Sequence, residues 1–98
     1  MPDVRVHELA AEEAIEAGAW YERERPDLGL EFEGAIKAAL DLLEGELAPL
    51  TPMLGAAGAR GARRLILKRF PYDVVVQIWR DEILVLAFAH HAPARNPG

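Results

Sequence analysis

Four cations fall within seven residues of this chain, Arg63, Arg64, Lys68 and Arg69, and Arg80 and Arg95 follow. Tyr72 comes next after the cluster, and two adjacent histidines, His90 and His91, stand further on. Guanidinium and ammonium groups stabilise developing negative charge, and an imidazole with an ordinary pKa of about 6.5 exchanges protons near neutrality. On a strand, Arg64, Ile66 and Lys68 share one face, so two of the charges are presented together. These are parts for binding an anion or moving a proton. They also suit an ordinary surface, with Arg64 and Lys68 paired to helix carboxylates and His90 capping a strand through a buried hydrogen bond. Metal chemistry is poorly served. The sequence has no cysteine, and His90 and His91 on a strand point to opposite faces, with His7 remote. No metal and no cofactor is expected.

The elements that must position these groups are short apolar runs with polar punctuation. Leu65, Ile66 and Leu67 form the first, Val74, Val75, Val76 and Ile78 the second, and residues 83–89 the third. Phe70-Pro71-Tyr72-Asp73 and Arg80-Asp81-Glu82 separate them. The pattern predicts a three-stranded antiparallel meander. Alternation places Leu65 and Leu67 on one face, and Val74, Val76 and Ile78 together opposite Val75, Gln77 and Trp79. It also groups Leu84, Leu86, Phe88 and His90 against Ile83, Val85, Ala87 and Ala89. One sheet face can cover helices. The other, part apolar and part basic, is left open.

Upstream, Val4-Arg5-Val6-His7 alternates like a half-buried strand. An Ala- and Glu-rich segment then predicts a helix from Glu8 to Glu24, with a stripe of Ala11, Ala14, Ile15, Gly18 and Tyr21. Trp20 and Tyr21 read as packing residues. Pro26 ends this helix, and Asp27 is positioned to cap a second one. There Phe32, Ile36, Ala39, Leu40, Leu43 and Leu47 line one face, which predicts an antiparallel helical hairpin. Residues 48–62 hold two prolines and three glycines with no periodicity, and are expected to form a loop. The class is α+β: an N-terminal strand, a helical hairpin, then a meander forming one sheet packed on the helices.

Ninety-eight residues suit a single domain, 1–98. The first fifty carry 13 acids and 4 bases, the remainder 3 acids and 7 bases, within a net charge of −5. An acidic helical half and a basic sheet half can orient a partner. No basic leader precedes an apolar stretch, and the longest apolar run is far short of the roughly 20 residues that span a bilayer. A soluble, cytoplasmic protein without membrane association is expected.

The order of strand, hairpin, loop and meander resembles the RelE/ParE superfamily of type II toxins, particularly the branch labelled plasmid stabilisation proteins. The marks are Arg64-Leu65 opening the first meander strand, the Phe70-Pro71-Tyr72 turn, and His90 followed by Arg95-Asn96-Pro97-Gly98. The resemblance runs essentially end to end, although relatives commonly continue past the Pro-Gly with aromatic residues.

It implies a toxin neutralised by a cognate antitoxin in a hetero-oligomer, with one of two activities. RelE-like members cleave mRNA in the ribosomal A site. ParE-like members inhibit DNA gyrase without catalytic residues. For cleavage, the candidates here are Arg64, Lys68 and Arg95 for charge stabilisation, His90 as acid or base, and Tyr72, although Tyr72 sits in a turn rather than near the C-terminus. At −5 overall, the chain is poorly matched to the dense phosphate of a ribosome. Gyrase inhibition is therefore the favoured expectation, with ribosome-dependent cleavage second and a non-toxic, partner-binding fold relative third. The antitoxin is expected on the open sheet face, at Arg64, Ile66, Lys68, Val75 and Trp79.

Overall fold

The computed structural model describes residues 2–90 of the chain. Its elements are β1 (Asp3–Val6), α1 (Glu8–Glu24), α2 (Leu28–Glu44), β2 (Thr51–Pro52), α3 (Gly55–Ala59), β3 (Ala62–Ile66), β4 (Tyr72–Trp79) and β5 (Glu82–His90). The strands form one five-stranded sheet in the order β1-β5-β4-β3-β2. The meander β3-β4-β5 is antiparallel as the alternation predicts. The sheet as a whole is mixed, because β1 joins β5 in parallel. Parallel neighbours need a long connection, and the helices and the other strands lie between these two in sequence.

The helical hairpin lies against one sheet face. Phe32 and Leu43 of α2 meet Val74, Val76 and Val85 of the strands, and all five are fully buried. An aromatic cluster closes one end: Tyr21 and Phe70 stand 4.9 Å apart, and Phe32 lies 5.1 Å from Phe70 and 5.3 Å from Tyr72. The Phe-Pro-Tyr turn is thus a packing device. It folds two aromatic rings onto the hairpin while the Tyr72 amide donates to the Phe70 carbonyl at 2.7 Å.

The hairpin corner differs in detail from the sequence expectation. Asp27 occupies the cap position of α2 in a left-handed conformation but makes no side-chain cap bond. Glu22 does this work, accepting from the Asp27 amide at 2.9 Å and the Gly29 amide at 3.0 Å. The close approach of the helices falls at Gly29, where an added Cβ would lie 2.7 Å from the Gly18 carbonyl oxygen. Ile15, placed by periodicity in the packing stripe, is 71% exposed, and Leu47 lies beyond the end of α2 on the surface. Ala10 and Ala17 are buried in α1 instead. Tyr21 packs as expected, whereas Trp20 is exposed.

Two further differences concern the sheet. Residues 48–62 are not all loop: β2 pairs with Arg63 and Arg64 of β3, and α3 follows as a short helix. In β5 the register shifts between the partners of Val75 and Val76, so that Ala87 faces Val75, Val85 faces Val76, and Leu86 is the extra residue. Such a bulge reverses the side-chain alternation beyond it. Ile83, Val85 and Phe88 consequently share the buried face, where strict alternation separates Phe88 from the other two. Glu13 of α1 secures the bulge by accepting from the Phe88 amide at 3.0 Å.

Candidate functional site

The outer sheet face and its β3 edge hold most of the residues singled out for partner binding. Arg64 faces Val75 directly across the ladder, and Ile66 follows on the same side, 48% exposed. Trp79 stands at the other end of β4, 68% exposed, with the Arg80 guanidinium 5.6 Å from its ring. The span between these ends, from the position opposite Ile66 to Trp79, is six residues, roughly 20 Å of strand. The chain partly covers its own face between them. Ala62 is buried there, and the Gln77 side-chain amide donates to the Arg60 carbonyl at 3.1 Å. The open surface is therefore two patches rather than one ribbon.

At the β3 edge lies an apolar groove of about 430 Å³ between α2 and the strand. Ala35, Ala38 and Leu42 form its helical wall, with Pro49, Ile66 and Lys68 opposite. Ala35, Ala38 and Leu42 are spaced three and four apart, a second apolar stripe beside the core stripe of α2 that marks this wall in the sequence. Backbone geometry adds to the groove. The Leu67 amide donates to the Tyr72 carbonyl at 3.0 Å, and in an antiparallel ladder adjacent residues point their polar groups in opposite directions. Ile66 therefore turns its N–H and C=O away from β4, to the edge where β2 ends and Pro49 has no N–H to offer.

The charges at this site are partly engaged. Arg64 lies 3.6 Å from the Asp73 carboxylate, whose side chain is almost fully buried. Arg69 hydrogen-bonds to Glu31, and that bond, with the charges of Arg69 and Arg25, holds the Glu31 carboxyl below its ordinary pKa. Lys68 forms no ion pair among the described residues. The cation cluster of the sequence thus resolves into two internal pairs plus Lys68 and Arg63 on the surface.

The candidates for chemistry do not gather on one side. Tyr72 and His90 face each other across β4 and β5 with their rings 5.1 Å apart, on the helix side of the sheet. Arg64 is on the outer side. Tyr72 and His90 thus lie on the opposite sheet face from Arg64, and Lys68 lies at the β3 edge. Burial, and secondarily the Glu13 charge, pushes the Tyr72 hydroxyl above its ordinary pKa, so it stays protonated near neutrality. Arg95 lies outside the described residues, as does His91. Among the described residues, no group of three or more His, Cys, Asp or Glu could hold a metal, and no helix is long and apolar enough to cross a membrane.

No family model and no curated protein matches the sequence. The structure does match a chain of the chromosomal ParDE TA system from P. aeruginosa, with a TM-score of 0.77 at 18% identity. The match covers 94% of this chain and 98% of that one. The two proteins share one fold.

Proposed function

We propose that the chain, acting as one domain over residues 1–98, is the ParE-like toxin of a type II toxin–antitoxin module. In this reading it binds and inhibits DNA gyrase, performs no chemistry, and is neutralised in the cytoplasm by a cognate antitoxin in a hetero-oligomer. The observation that carries this reading is the near-complete structural match to the ParDE chain. The division of the candidate catalytic groups between opposite sheet faces favours binding over RNA cleavage, and so does the net charge of −5.

The antitoxin segment is assigned to the β3 edge and the outer face. An extended strand added beside Ile66 would satisfy its outward N–H and C=O, and alternate side chains would enter the groove walled by Ala35, Ala38 and Leu42. Acidic residues on that segment would meet Lys68. Val75 and Arg64 extend this first patch onto the outer face, and Trp79 supplies an aromatic anchor in the separate patch at the far end of β4.

The test is a plasmid supercoiling assay with purified protein and gyrase, without ribosomes. Supercoiling should stop, and should resume when the co-encoded antitoxin is added. Unimpaired gyrase together with mRNA cut on translating ribosomes would establish the nuclease activity instead. Normal growth of a host expressing the chain alone would point to a non-toxic binding protein.

A further inference from the structure

A second concave surface lies on the helix side of the sheet, away from the β3 edge. It is a shallow pocket of about 390 Å³ where α1 meets the ends of β4 and β5. Its aromatic walls are Trp20, Tyr72 and His90, and two carboxylates, Glu13 and Glu16, stand at its side. Trp20, with the largest of side chains, is 51% exposed, and its ring sits edge-on to Tyr21 at 5.1 Å. Tyr72 and His90 are also edge-to-face. Among the described residues, no lysine or arginine lines the pocket.

We propose that this pocket receives an arginine or lysine side chain from a protein partner. Three features select that occupant over an apolar or anionic one. Trp20 is half exposed in the pocket wall, and an indole ring attracts a cation through its negative quadrupole more strongly than the rings of tyrosine or phenylalanine. Two carboxylates beside it supply opposite charge, and Glu13 is fixed in place by its bond to the Phe88 amide. The first fifty residues, which supply the Glu13, Glu16 and Trp20 side of the pocket, hold 13 acids against 4 bases, so a basic partner is drawn to this side and an acidic one repelled. The chemistry is opposite to that of the β3 edge, where Lys68 and the apolar groove suit acidic and apolar side chains. The chain therefore offers two partner surfaces of opposite sign, and the assignment of this one does not depend on the identity of the toxic target.

The test uses the full chain labelled with ¹⁵N and titrated with N-acetyl-arginine amide, with N-acetyl-norleucine amide and N-acetyl-glutamate amide as controls. The arginine probe should shift the Trp20 indole and the amides of Ala89 and His90 saturably, and the two controls should not. Trp20→Ala and Glu16→Gln should each weaken binding about two- to fivefold, as expected of a partly exposed cation–π contact and a solvated ion pair. Thermal unfolding of Glu16→Gln should match the parent, because Glu16 makes no ion pair among the described residues. Equal shifts from the norleucine probe, or unchanged affinity in Glu16→Gln, would overturn the proposal. So would arginine binding that appears only in Arg95→Ala, since the pocket would then belong to the chain's own C-terminal segment.

Discussion

Substituting alanine at two glycines of one helix should move stability in opposite directions. At Gly29, an added methyl carbon would lie 2.7 Å from the Gly18 carbonyl oxygen, 3.0 Å from Glu22 Oε1 and 3.1 Å from Glu22 Cβ. The nearest of these is backbone, so α1 and α2 must separate or tilt. Overpacking of that kind costs about 1–3 kcal/mol. Displacing Glu22 also weakens its bonds to the Asp27 and Gly29 amides, a cap worth about 1 kcal/mol. Relief of glycine's unfolded-state entropy returns at most about 1 kcal/mol. Gly29→Ala should therefore lose about 1–3 kcal/mol, lowering Tm by roughly 4–8 °C per kcal/mol. At Gly34, in the same helix, an added Cβ meets no described residue within 4 Å. Gly34→Ala should gain about 0.5–1 kcal/mol. Both values come from urea unfolding at fixed protein concentration, with thermal unfolding by circular dichroism as the second reading. If Gly29→Ala proves neutral, or rises together with Gly34→Ala, the two helices do not approach closely at Gly29 and Glu22 does not hold the corner.

Trp79→Ala should leave the fold within about 0.5 kcal/mol, as for an exposed residue, while weakening antitoxin binding by about 2 kcal/mol; unchanged affinity by titration calorimetry would remove Trp79 from the partner surface. Glu13→Ala removes the acceptor of a part-buried amide and should destabilise the protein by about 1–3 kcal/mol. Hydrogen exchange at the Phe88 amide should accelerate in that variant before exchange at Val76 does, and equal protection in both proteins would show that the bulge does not need Glu13. The lowered pKa of Glu31 sets the sign of an acid effect. A carboxylate depressed in the folded state stabilises it above the unfolded pKa of about 4.3, and that stability disappears as pH falls through the folded value. Glu31→Gln should thus differ most from the parent near neutrality and converge with it in acid, a trend that urea midpoints at several pH values will check.

Much of this protein is legible in its sequence because local periodicity and sheet alternation are properties of neighbouring residues. The two helices follow from Phe32, Ile36, Ala39 and Leu43 on one side of a proline and from an Ala- and Glu-rich run on the other. The meander follows from three apolar runs, and the exposure of Ile66 and Trp79 from their parity within those runs. What the tertiary structure decided depends on atoms distant in the chain. The bulge at Leu86 reversed the parity of β5, brought Phe88 into the core and turned His90 toward α1. No local pattern specifies that bulge; it rests on an amide bonded to Glu13, 75 residues away. Likewise the charge list alone does not separate the Arg64–Asp73 pair from Lys68, because ion pairing is set by cross-strand distance rather than by spacing in the chain. The sequence by itself determined the two long helices and the three meander strands, but not β2, α3 or the face that β5 offers beyond its bulge. Only their packing determined which charges remain available on those faces and which side of the sheet the histidine serves.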